Sequence, residues 1–235
     1  MESPRVKLPV LSEMLGEIPT GSLVAVFHDG DSQWDMLLAN ICAEHLKAGG
    51  NLIYETYCRP PNEVRQNFQR LAVNLAEYEA KDMAVLYDGY HVLIGKKSSE
   101  KYQAETTNLN ELSIASSQSA PLWPAGTLDT SANYSVLALN QENVFSRFYR
   151  KMVADWKSQE HIMIHGFVTG VHSPDFYEQL KMVSDGVVEV RLVEYQGKMI
   201  DAIRTRSFRG QRADTQMRHI SFDSRMKASL QIMAR

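Results

Sequence analysis

Eight residues, Phe27-His28-Asp29-Gly30-Asp31-Ser32-Gln33-Trp34, stand between an apolar strand-like run (Leu23 to Phe27) and a helix-like run (Gln33 to Lys47). That is where an α/β protein places a phosphate-binding loop. A working loop reads G-x-x-x-x-G-K-[ST]: backbone N–H groups cradle the phosphates, the lysine neutralises them and the hydroxyl ligates Mg²⁺. Here Gln33 fills the lysine slot and Trp34 the hydroxyl slot. Gln33 carries no charge, and an indole N–H donates but cannot ligate a cation. Asp29 and Asp31 add negative charge where a triphosphate would sit. Like charges roughly 4 Å apart repel by about 1 kcal/mol in water and several-fold more when desolvated. Asp31 is also placed to cap the helix, filling the anion position with the protein's own carboxylate. ATP and Mg²⁺ are therefore not expected as cofactors. Taken alone, the segment reads as an ordinary strand-to-helix loop with an Asp cap.

Other groups that could do chemistry are thinner. His161 and His165 share a face of a predicted strand, but four residues of extended chain separate them by about 13 Å, too far to ligate one ion directly. A His165/His172 pair with a loop acid is the remaining metal arrangement, and core or capping histidines explain the same residues more simply. Asp88-Gly89-Tyr90-His91 ends the third apolar run, where ligands sit in open α/β sheets, although turn chemistry explains Asp-Gly equally well. Cys42 and Cys58 have no C-x-x-C spacing, and no G-x-S-x-G elbow is present. No catalytic residue and no metal site is expected.

The elements that must position this loop are short apolar runs at Leu23 to Phe27, Leu52 to Tyr54, Met83 to Tyr87, Val136 to Leu139 and Ile162 to Ile164. Continuous apolar character suits strands covered on both faces, hence a mostly parallel sheet flanked by helices. Helices are expected over Gln33 to Lys47, Asn62 to Asn74, Glu142 to Lys157 and Pro174 to Met182, the last with Ser173 as N-cap. After Asp185 the pattern alternates through Val188, Val190 and Leu192 to a turn at Gln196-Gly197, a β-hairpin signal, and a further strand pair is expected over Met217 to Phe222 and Lys227 to Met233. Residues 95–133 are polar and read as a functional or mobile insertion with room for a short helix over Asn108 to Ser117.

With 235 residues, 44% hydrophobic and 23% charged, the chain suits one large α/β domain, and no apolar stretch is long enough to span a membrane. A cytoplasmic location is the default expectation. The net charge of −3 is unevenly spread: residues 203–235 hold eight Lys/Arg against two acids, +6, leaving −9 for the remainder. A basic C-terminal β segment on an acidic body suits nucleic acid, an acidic partner or a second copy of the chain, and solvated strand faces explain it about as well.

The order of these elements resembles the KaiC-like branch of the RecA superfamily, especially its small single-domain archaeal members tied to signalling. The likeness rests on Ile18-Pro19-Thr20-Gly21, Gly170-Val171-His172-Ser173, Phe176-Tyr177 through Asp185-Gly186-Val187, and Arg204 to Gly210, and it runs from about Leu11 to Leu230. It implies a RecA-like phosphate-loop fold with a C-terminal antiparallel extension, and it implies losses. The family's acidic pair after the second strand aligns with Tyr57 and Cys58, neither a useful base for water at neutral pH. Its Mg²⁺-organising aspartate aligns with Asn140. Of its lysine-x-arginine pair, which reaches a neighbouring subunit's phosphate, Ser207 and Arg209 remain. Losing positioning, charge and metal together removes most of what phosphoryl transfer depends on. The expectation is a catalytically inactive pseudo-ATPase serving as a regulatory, signalling or assembly subunit. Its partner is itself or an active KaiC/RecA-like paralogue, with Arg209 and Arg206 as interface candidates and Asp29 or Asp31 as the acid that Arg209 meets. The alternatives are nucleic-acid binding through Arg204, Arg206, Arg209, Arg212 and Arg218, and residual ATP binding.

Overall fold

The computed structural model describes residues 4–103 and 108–233. The chain runs β1 (Arg5–Val6), α1 (Ser12–Leu15), β2 (Ile18–Pro19), β3 (Leu23–His28), α2 (Trp34–Lys47), β4 (Leu52–Thr56), α3 (Pro61–Arg70), α4 (Leu75–Glu79), β5 (Ala84–Asp88) and α5 (Tyr90–Leu93). It continues through β6 (Tyr102–Gln103), α6 (Leu109–Ser119), β7 (Leu128–Ser131), α7 (Ser135–Ala138), α8 (Glu142–Ser158), β8 (Ile162–Val168) and α9 (Pro174–Val183). Four long or paired strands close it: β9 (Gly186–Tyr195), β10 (Lys198–Phe208), β11 (Arg218–Phe222) and β12 (Ala228–Ile232).

Ten strands form one sheet in the order β12-β11-β10-β9-β3-β8-β7-β4-β5-β6, parallel from β9 to β6 and antiparallel from β9 to β12. β3 is central, buried along its whole length between β8 and β9. Its alternate residues feed two cores: Val24 and Val26 pack with Trp34, Leu37 and Ile41 of α2, while Leu23, Ala25 and Phe27 pack with α8 and α9 through Phe145, Tyr149 and Phe176. An apolar residue at every position is what a strand sandwiched between helix layers requires. The sheet turns at Gln196 (φ 50°) and Gly197 (φ 72°), the paired positive φ values of a two-residue hairpin turn that matches strand twist. Ser173 caps α9 by accepting from the Phe176 N–H at 3.3 Å, and Asn108 caps α6.

Two expectations fail here. Val136 to Leu139 is not a strand: Ser135–Ala138 form the short helix α7 and Asn140 sits in the exposed turn after it, at φ 62°. The strand in that place is β7, L-D-T-S, within the segment expected to be an insertion; of that segment, residues 104–107 lie outside the described ones. β7 pairs with β4 and β8 in the middle of the sheet, with Asp129, Thr130 and Ser131 all fully buried. Among the described residues no helix is long and apolar enough to cross a membrane.

Candidate functional site

The loop between β3 and α2 lies at the carboxyl ends of the parallel strands, the usual ligand position in an open sheet. The Asp29 carboxylate, the Ser32 hydroxyl and the Gln33 N–H are engaged within the chain. The Asp29 carboxylate accepts from Arg191 Nη1 at 2.8 Å, Thr169 Oγ1 at 2.9 Å and the Leu192 N–H at 3.0 Å. Burial pushes its pKa up, but these donors outweigh burial and hold it below the ordinary carboxylate range. Ser32 Oγ donates to the Asp29 carbonyl at 2.7 Å, which closes the turn. Gly30 and Asp31 are exposed.

At the helix start, Gln33 makes no side-chain cap; its N–H donates to Asp201 Oδ1 at 2.9 Å. The carboxylate at the helix start comes from β10 and not from Asp31, the residue expected to cap it. Sequence reasoning could not assign this role because 168 residues separate the partners. Burial raises the Asp201 pKa, with Asp31 adding to the effect and the Gln33 bond opposing it. Asp201→Ala is expected to cost about 1–2 kcal/mol, as for loss of a helix N-cap, and Asp201→Asn clearly less, measured by denaturant midpoint.

Trp34 is fully buried, and its Nε1–H donates to the Ala132 carbonyl at 3.0 Å. The His28 ring lies 6.2 Å from the indole, with Nε2 3.2 Å from the same carbonyl and Nδ1 3.1 Å from the Asp29 carbonyl. Burial keeps the His28 pKa below its usual value, against the carbonyl oxygens that face both ring nitrogens. The backbone that meets the Trp34 indole is therefore Ala132, just after β7, and not Asn140. A cleft of about 480 Å³ beside the loop is lined by Ser32, Gln33, Asp35, Arg59, Glu63 and Arg70, its charges balanced.

Behind the loop lies a cluster that the sequence only partly signalled. Tyr57 is buried and its hydroxyl donates to Glu55 Oε2, which also accepts from Tyr134 Oη at 2.7 Å. Two strands away His165 Nε2 stands 3.2 Å from Asp129 Oδ2, and His165 Nδ1 2.8 Å from Tyr149 Oη. Both His165 and Asp129 are completely buried. Burial pushes the Asp129 carboxyl up to about 8 and the His165 ring down to about 3. Burial thus favours a neutral carboxyl beside a neutral imidazole over an ion pair. Glu55 is raised to about 7, by burial first and then by nearby Asp129, against the two tyrosine hydroxyls that stabilise its charge. Cys58 is exposed and accepts from Asn133 Nδ2 at 3.3 Å.

The other histidines serve structure. His172 bridges Glu142 Oε1 at 3.2 Å and the Ser135 carbonyl at 3.1 Å, while His161 Nε2 lies 3.3 Å from the Trp123 carbonyl. His91 Nδ1 is 2.6 Å from Asp88 Oδ2, and Ser98 Oγ also donates to that carboxylate, which consumes the Asp-Gly turn at the end of β5. Among the described residues no group of three metal-ligating side chains converges. The basic segment is dispersed: Arg204 pairs with Glu189 at 2.6 Å and Arg206 stands 3.8 Å from the same acid. Arg218 pairs with Asp214 at 2.6 Å, Arg209 Nη2 donates to the Met182 carbonyl at the end of α9 at 2.7 Å, and Arg212 is exposed. Neither a family model nor a curated protein sequence matches this chain.

Proposed function

We propose that this chain is a catalytically silent KaiC/RecA-like domain that works as a regulatory or assembly subunit through protein contacts. The observation that carries the reading is the occupied helix start: Asp201 holds the Gln33 N–H where a phosphate would bind, and Trp34 fills the cation side of the loop. The strand order β9-β3-β8-β7-β4, with the loop after central β3, supports the RecA-like part. The signalling role rests on the sequence resemblance. The ion pairs at Arg204, Arg206 and Arg218 weigh against nucleic-acid binding, because partnered arginines on different faces give a phosphate backbone little to follow.

The test is thermal unfolding with and without millimolar ATP or ADP, each with Mg²⁺ or EDTA. A ligand that binds the native state alone raises the midpoint by mass action. No shift is expected in any condition. A reproducible rise of several degrees overturns the reading.

A further inference from the structure

The polar segment 95–133 supplies more than β7 and α6. Residues around β6, and the turn Ala120–Leu122 with Trp123 and Pro124 after it, close on β5 and help enclose a cavity of about 460 Å³. That volume lies inside the roughly 300–1,000 Å³ range of small-molecule sites. A long polar segment inside a compact domain is usually functional, and here it builds one side of a pocket.

Much of that pocket is aromatic. Tyr87 of β5 and Tyr102 of β6 stand 5.3 Å apart, ring to ring, and Trp123 lines the same cavity. Leu122, also in the lining, is 79% exposed, more than any other large apolar side chain among the described residues. Tyr102 is 39% exposed. Apolar surface left open beside a concavity marks a ligand site rather than a core.

The charged part of the lining is acidic in sum. Glu79, Asp82 and Glu100 face Arg65 and Lys101, three acids against two bases, so one negative charge is in excess. Arg65 already divides its guanidinium between Glu79 at 2.6 Å and Glu100 at 2.5 Å. An arriving anion would find that cation shared by two carboxylates and would meet Asp82 as well. The other base shows what the aromatic wall accepts. Lys101 Nζ lies 4.9 Å from the centroid of the Tyr102 ring, so this face takes an ammonium group, here the chain's own.

We propose that this cavity binds a small organic cation, an ammonium or quaternary ammonium head on an apolar body. The head takes the Tyr102 face, where the excess acid of the lining offsets its charge, and the body lies against Trp123 and Leu122. Lys101 is the internal competitor for the head position and yields it readily, because its own side chain is exposed and can turn to solvent. The site sits at the β5–β6 side of the sheet, four strands from β3, and takes no part in the silent loop.

The probe for the test is benzyltrimethylammonium, titrated into the full chain and followed by tryptophan emission and by calorimetry. Of the three tryptophans, Trp34 and Trp156 are buried, so an emission change reports Trp123. Saturable binding is expected, tighter by about tenfold than for neutral benzyl alcohol or anionic phenylacetate at the same ionic strength. Tyr102→Ala should weaken the probe by about tenfold and keep the thermal midpoint, since the ring is exposed. Lys101→Met, which removes the competitor and its charge, should tighten the probe several-fold; a lysine that only decorates the surface would leave the affinity where it was. No saturable binding, equal affinity for the cationic and neutral probes, or an affinity that both variants leave unchanged overturns the proposal. The nucleotide shift reads the loop after β3 and this titration reads the cavity, so either can fail alone.

Discussion

Gly166→Ala is expected to destabilise the protein by about 3 kcal/mol or more, enough to remove a large share of a typical domain's stability. A Cβ at Gly166, in the middle of β8, would lie 1.9 Å from the Ala132 carbonyl oxygen and 2.5 Å from Trp34 Nε1. The first neighbour is backbone and cannot step aside alone. The Tyr134 N–H is bound to the Gly166 carbonyl at 2.8 Å, so the whole turn after β7 is fastened to β8 at this point. Moving Ala132 would also break the bonds it accepts from Trp34 and His28, the two rings that close the loop. Gly186→Ala makes a graded comparison, because its nearest obstacle is the Phe208 ring at 2.9 Å, a side chain that can turn. Denaturant midpoints should rank wild type above Gly186→Ala, and Gly186→Ala well above Gly166→Ala. A Gly166→Ala midpoint near wild type would mean that β8 does not press against the turn, and the closed loop would lose its main support.

The same turn shows where the sequence was legible. Strands such as Leu23–His28 and Ile162–Val168, buried on both faces, announce themselves as apolar runs, and helices with a Ser or Pro start announce their first residue. β7 does not. Its side chains Asp129, Thr130 and Ser131 are buried for hydrogen bonding within the cluster rather than for apolar packing, so its composition is that of a loop. Val136 to Leu139 misleads in the opposite sense, since four apolar residues fit one buried helical turn as well as a short strand. That exchange is why Asn140, expected at the end of a sheet strand, lies instead in the exposed turn after α7. Within the loop, Gln33 and Trp34 at the helix start are readable because strand, loop and helix are adjacent in sequence. The carboxylate at the helix start is not, because Asp201 and Arg191 arrive from the C-terminal hairpin through tertiary structure alone.

Stability should fall as pH rises from about 6.5 to about 8, where ordinary solvated acids have already titrated. The cause is the buried pair of acids. Asp129 keeps its proton in the folded state up to about 8 and Glu55 up to about 7, whereas both lose it near 4 when the chain unfolds. Below about 6.5 this excess is offset by the histidines that burial keeps unprotonated in the fold, His165 above all, because each takes up a proton on unfolding; above about 6.5 only the two acids count, the native state binds more protons, and each rise in pH favours unfolding until the folded pKa is passed. His165, held near 3, is neutral in the fold throughout this window. Each unit of pKa difference corresponds to about 1.4 kcal/mol, so the loss across this window is on the order of a few kcal/mol at most. The two acids also resist each other: once Glu55 ionises, its charge opposes ionisation of Asp129, which spreads the loss over a wider range. Asp129→Asn isolates the cause, since a neutral amide keeps the shape beside His165 and cannot ionise. Denaturant midpoints for wild type should drop from neutral to mildly alkaline buffer, while the Asn variant should show a shallower slope and overtake wild type at the alkaline end. A wild-type profile that is flat through this window would mean that water reaches the cluster, and that Asp129 and Glu55 are ordinary solvated acids.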